Sequence, residues 1–113
     1  MARKRNQGSK WIQPAKRQAI YNRDGRRCVY CGAYEDHDQT AQLTLDHLHP
    51  CELGGGNEAK NLVTCCLRCN SSKGKLNLQD FLARLQDKGV DIIALRNKIR
   101  NTTRRKLAGY NGI

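Results

Sequence analysis

Apolar and polar positions change period along this chain, and the changes mark its elements. Residues 42–48 alternate in part, with Leu43, Thr44 and Leu45, which predicts a strand. Pro50 ends it. The run Asn61-Leu62-Val63-Thr64-Cys65-Cys66 predicts a short second strand. Between them, residues 52–60 contain Gly54, Gly55 and Gly56 and read as a flexible loop. Helical spacing appears elsewhere. Pro14 suits a first helical position, and Ala15, Ala19 and Ile20 give a weak stripe ended by Asp24-Gly25. Leu67 to about Lys75 reads as a short helix or turn. Asn77 can cap a helix with Leu78, Phe81, Leu82 and Leu85 at i, i+3, i+4 and i+7, stopped by Gly89. Asp91 can cap a last helix with Ile92, Leu95 and Ile99 on one side. Its other faces carry Arg96, Lys98, Arg100, Arg104, Arg105 and Lys106. These C-terminal stripes read as core. Residues 33–42 read as a polar loop, and residues 1–10 as a disordered basic arm. The expected organisation is one α+β domain over residues 11–113, with C-terminal helices in 77–107.

Composition makes that core small. Of 113 residues, 38% are hydrophobic and 5% aromatic. A structural metal would compensate. Zinc in a four-ligand site contributes about 10–16 kcal/mol of apparent binding energy, against a net stability of about 5–15 kcal/mol for a domain. The net charge of +11 is unevenly spread. Residues 1–27 hold nine Lys/Arg and one acidic residue, and residues 67–113 hold eleven and three. Residues 28–66 hold one Lys and six acidic residues. Basic ends attract phosphate backbones, and an acidic centre suits a hard cation. No apolar segment follows the basic amino terminus, and no run is long enough to span a membrane. An intracellular, cytoplasmic setting is expected. A secreted disulfide miniprotein is disfavoured by the missing signal and by the paired cysteine spacing.

That spacing carries the chemistry. The pairs are Cys28-x-x-Cys31 and Cys66-x-x-Cys69. Two such pairs complete a tetrahedral zinc site. Zinc ribbons separate their pairs by about 15–20 residues; here 34 residues, 32 to 65, intervene. They include Asp46-His47 and the glycine loop. Gly32 and Asn70 each follow the second cysteine of a pair, where a left-handed backbone is easy for these types. Cys51 and Cys65 fall outside the pairs and read as small packed residues. His37, in a polar stretch, reads as solvated.

The combined pattern Cys-x2-Cys, Asp-His-x2-Pro, Gly-Gly, Asn-Leu-Val, Cys-x2-Cys-Asn-x2-Lys over residues 28–75 resembles the HNH endonucleases in their zinc-stapled form. The resemblance implies a ββα-metal core around one catalytic divalent ion, flanked by helices, and phosphodiester cleavage in DNA. Asn70 stands where the third letter of the family name often has histidine, an HNN variant. Its hard amide oxygen suits Mg²⁺ or Mn²⁺. His47 can accept a proton from water. Asp46 and Asn70 can hold the metal against the scissile phosphate. The resemblance gives Asn61 the task of tying down the loop that carries the base.

Neighbouring strand residues face opposite sides, so a bend is expected at Asp46-His47. His49, one strand period beyond His47, should share its face. It could contact phosphate or fill the strand end. Lys73 and Lys75 could clamp phosphate or be ordinary surface lysines. The partner expected is DNA, and the motif specifies no protein partner. The alternative is a zinc-containing nucleic-acid-binding module without catalysis, which would explain the cysteines and charge but not Asp46, His47, Asn61 and Asn70 together.

Overall fold

The computed structural model describes residues 12–35 and 42–110. The basic arm 1–10, His37 and most of the 33–42 loop lie outside the described residues. The elements follow the order α1 (Pro14–Arg23), β1 (Leu43–His47), β2 (Leu62–Cys66), α2 (Leu67–Lys73), α3 (Leu78–Asp87) and α4 (Ile92–Thr103). Short 3-10 turns at Cys51–Leu53 and Ala59–Asn61 interrupt the loop between the strands. The protein is a small α+β fold: one antiparallel two-stranded sheet with helices packed around it.

The strands pair with Leu43 opposite Cys66 and His47 opposite Leu62. All five β2 residues are buried, because the strand is covered on both faces. Leu62 joins Ile12 and Ile20 from the α1 side. Val63 and Cys65 join Phe81, Leu82, Leu95 and Ile99 from α3 and α4. The caps sit where the sequence puts them. Asn77 Oδ1 accepts the Asp80 N–H at 2.9 Å, and Asp91 Oδ1 accepts the Ala94 N–H at 3.1 Å. Gly89, at φ +92°, follows the end of α3.

Helix α1 departs from its expected stripe. Ala15 is exposed, whereas Lys16 and Arg23 are buried with Ala19, Ile20 and Tyr21. The reason is hydrogen bonding to main chain. Arg23 donates to the carbonyls of Ala59 (2.9 Å) and Leu62 (2.6 Å) and pairs with Asp24. Asp24 Oδ2 in turn accepts the Thr64 N–H at 2.8 Å. A two-stranded sheet leaves one edge of β2 unpaired. Asp24 closes that edge together with Val29, whose N–H donates to the Thr64 carbonyl at 2.9 Å. The Arg23–Asp24 side chains are 0% and 1% exposed, so the pair is a fully desolvated strut.

Asp24→Ala should therefore leave a buried guanidinium uncompensated. The expected cost is about 3–5 kcal/mol, read by urea unfolding. Arg26→Ala, which removes the exposed Arg26–Glu35 pair, should change little. Equal stabilities of the two variants would show that Asp24 is no strut.

Candidate metal centre and catalytic cleft

The two cysteine pairs form two knuckles of different construction. In the first, Cys31 N–H points to Cys28 Sγ at 3.5 Å, and Gly32 N–H bonds the Cys28 carbonyl at 2.9 Å. Gly32 closes that turn at φ +83°. The second knuckle is the first turn of α2. Cys66 is its N-cap, and its Sγ accepts the Cys69 N–H at 3.4 Å. Asn70 is consequently helical, not at a left-handed turn as its type suggested. The four sulfurs lie within 4.8 Å of one another, with Cys31 and Cys66 Sγ 3.7 Å apart. A tetrahedral ion with metal–sulfur bonds near 2.3 Å needs sulfurs about 3.8 Å apart, so the donors fit one metal ion.

Cys65 is buried beside this cluster, its thiol donating to the Cys66 carbonyl at 3.3 Å. Hydrogen bonds from Cys65 and Cys69 push the Cys28 thiol far down. The same bonds push Cys65 and Cys69 up, with burial adding to both. Burial is the main cause of the upward shift at Cys66.

A cleft of about 300 Å³ opens beside this clamp, lined by Asp46, His47, Asn70, Lys73 and Lys75. Strand β1 carries the first two and α2 supplies Asn70 and Lys73. Asn70 and Lys73 are three residues apart, hence on one helix face, and that face meets β1. Asn70 Nδ2 donates to Thr44 Oγ1 at 2.7 Å, and the Thr44 hydroxyl in turn donates to the Cys65 carbonyl at 2.8 Å. With Nδ2 held this way, Asn70 Oδ1 is the end left for a ligand.

Asp46 is 5% exposed and gripped from two sides. Tyr30 Oη donates to its Oδ2 at 2.6 Å. Lys73 Nζ lies 3.1 Å from its Oδ1 and also donates to the His47 carbonyl at 3.0 Å. Burial pushes the Asp46 carboxyl up. The Lys73 ammonium, the Tyr30 hydroxyl and His47 oppose that without cancelling it. Burial, then the Asp46 charge, pushes the Tyr30 phenol well up, so Tyr30 stays a donor.

His47 ends the regular strand, its Nε2 2.7 Å from Asn57 Oδ1. The chain bends only after it, at Leu48 and His49. No bend at Asp46-His47 is needed, because the strand's terminal residue can reach the cleft from its end. Asn61 latches the segment that follows. Its Oδ1 accepts the His49 N–H at 2.9 Å, and its Nδ2 donates to the carbonyls of Gly56 (2.8 Å) and His49 (3.1 Å).

His49 lies past the end of the strand, so strand period no longer fixes its face. It is exposed, with its ring against the Leu53 carbonyl at 2.8 Å. Lys73 is 2% exposed, hence no surface lysine, while Lys75 is exposed at the cleft. Cys51 also lines the cleft. Sequence reasoning missed Tyr30, Thr44 and Asn57. Only Tyr30 left a trace there, as an aromatic inside a cysteine knuckle.

A family model described as HNH endonuclease matches residues 28–85, about half the chain. No curated protein matches. Among solved structures, the chain is similar to the Type II-C Cas9 enzyme from Actinomyces naeslundii, at 23% identity and a TM-score of 0.45. The likeness covers 90% of this chain and 12% of that one.

Tyr30→Phe keeps the ring and its edge-on contact with Phe81, 5.0 Å between centroids, but removes one donor from Asp46. Stability should fall by roughly 1–3 kcal/mol with the fold intact, measured by urea unfolding. No change would mean that Lys73 alone satisfies the carboxylate.

Proposed function

The chain belongs to the HNH endonuclease family, and from that premise we propose that it is a metal-dependent DNA endonuclease. In this reading His47 is the general base, Asp46 and Asn70 hold one divalent ion, and Asn61 steadies the loop beyond the base. The observation that carries it is the convergence of Asp46, His47 and Asn70 on one cleft from two elements.

The donor set fits a hard cation: one carboxylate, and one amide oxygen whose nitrogen is already engaged by Thr44. Mg²⁺ or Mn²⁺ bound there supplies neutralisation of the charge that develops on the leaving 3′ oxygen. The protein does the rest. His47 takes the proton of the attacking water. Lys73, already beside Asp46 Oδ1, opposes the upward push of burial on that carboxyl and keeps it aligned. Lys75, exposed at the cleft, takes the phosphate-contact role, with His49 on a different segment, just past His47 in the inter-strand loop. The exposed Arg96, Lys98, Arg100 and Arg104 of α4 and its end suit the duplex backbone. Zn²⁺ at Cys28, Cys31, Cys66 and Cys69 is structural, with all four positions taken by protein. Among the described residues no helix is long and apolar enough to cross a membrane.

One observation favours a second reading, a zinc module that binds nucleic acid without cutting it. Both Asp46 oxygens already have donors, Tyr30 and Lys73, as a purely structural carboxylate would.

Supercoiled plasmid incubated with the protein and Mg²⁺ or Mn²⁺ separates the two. Cleavage that a chelator stops is expected. His47→Ala should bind DNA but cut 10²–10⁴-fold more slowly, the usual order for lost general-base catalysis. Asp46→Ala and Asn70→Ala should instead need more metal. Binding without cleavage under any divalent ion would establish the second reading, and a fully active His47→Ala would move the base elsewhere.

Metal analysis of the purified, reduced protein should find about one zinc per chain. Cys28→Ser should lose it and unfold, whereas Cys65→Ser should retain it. Folded, reduced wild-type protein without zinc would refute the assignment.

A further inference from the structure

The loop between the strands holds a residue that no motif singled out. Asn57 Oδ1 lies 2.7 Å from His47 Nε2, a full hydrogen bond. An amide oxygen only accepts. The shared hydrogen therefore belongs to the ring, on Nε2. A neutral imidazole carries one N–H, so its lone pair is on Nδ1.

The loop is built to keep Asn57 in that place. Asn61 Nδ2 holds the carbonyl of the preceding residue, Gly56, at 2.8 Å. Buried Lys16, from α1, donates to the Asn57 carbonyl itself. Gly55 presses on the segment after His47: a Cβ there would lie 1.7 Å from the His49 carbonyl oxygen. No side chain fits that approach, so the glycine run serves to fold Asn57 back over the end of β1. Lys16 from one side and Asn61 from the other leave it little freedom.

We propose that Asn57 is a positioning residue that fixes His47 as the Nε2–H tautomer and makes Nδ1 the basic nitrogen. The consequence for catalysis rests on His47 being the general base. The tautomer itself does not, and the test treats the two separately.

The first measurement is nitrogen NMR of the histidine side chains, on zinc-loaded protein without Mg²⁺ or Mn²⁺. His47 Nε2 should give a donor-type signal with a slowly exchanging proton, and Nδ1 an acceptor-type signal. An acceptor-type Nε2 in the wild type overturns the proposal with no variant needed. In Asn57→Ala the Nε2 proton should exchange freely and Nδ1 should move toward a tautomer average. Asn57→Asp, which keeps an acceptor at that position, should restore the wild-type pattern.

The second measurement is plasmid cleavage at saturating metal. Asn57→Ala should lower kcat roughly 10–100-fold, by analogy with the loss of an orienting partner from a metal-bound histidine, with KM and DNA affinity unchanged. Asn57→Asp should recover most of it. Unchanged spectra and unchanged kcat in Asn57→Ala, alongside an inactive His47→Ala, overturn the role of Asn57 and leave the nuclease reading standing. The expected spectra alongside a fully active His47→Ala would keep the tautomer and remove the catalytic assignment of His47.

Discussion

Closure at the four cysteines is the constraint on which the rest of this structure depends. It joins two points separated by 34 residues of sequence, and each knuckle contributes a donor to the same carboxylate. Tyr30 sits inside the first pair. Lys73 lies one helical turn beyond the second, on the helix that the second pair begins. Both reach Asp46. Opening the clamp would remove both donors at once and leave a buried carboxylate alone among apolar side chains. With zinc bound, the clamp's apparent energy of about 10–16 kcal/mol matches or exceeds the whole net stability of a typical small domain. Metal binding, folding and alignment of Asp46 are then one event.

A second regularity concerns cations turned inward. Lys16, Arg23 and Lys73 are all buried, and all donate to main-chain carbonyls of the segment that joins the strands or of the strand residues at its two ends. Lys16 takes Asn57, Arg23 takes Ala59 and Leu62, and Lys73 takes His47. That segment is long, glycine-rich and poor in regular structure, so its carbonyls lack ladder partners. Long cationic side chains satisfy them while their alkyl stems pack against apolar neighbours. The +11 net charge therefore overstates what the protein presents outward. Part of it is internal fastening.

What the sequence made legible were features with local causes. The two strands, the caps at Asn77 and Asp91, and the α3 stripe follow from period and side-chain chemistry over a few residues. The cysteine spacing made the clamp legible over longer range, because few other functions explain two such pairs. Features set by tertiary contacts, from 10 to 41 residues apart, were not legible. Lys73 looks like any lysine until α2 docks on β1. Arg23 and Lys16 look like a basic helix face until the inter-strand loop arrives with unpaired carbonyls. Asn57 looks like loop filler until the glycine run folds it onto His47. Asn70 had a local cause that pointed the wrong way: the type favours a left-handed turn, and the helix begun by Cys66 overrode it.

The Asp46–Lys73 pair is hard to explain as a stability device. A buried carboxylate and ammonium each lose several kcal/mol of hydration, and their attraction repays that only with good geometry and further hydrogen bonds. Replacing such a pair with apolar side chains of similar volume is often neutral or stabilising, by about 1–4 kcal/mol. A small core with few aromatics would gain from that exchange. The upward push on the Asp46 carboxyl points the same way, because desolvation outweighs the nearby donors. What the pair accomplishes is placement. It puts a carboxyl oxygen at the edge of the cleft, beside His47 and Asn70, with a cation already next to it. A divalent ion binding there would, on the nuclease reading, compete with one ammonium instead of desolvating a bare carboxylate. On the nuclease reading, Lys73 reserves the position that the metal's charge will take.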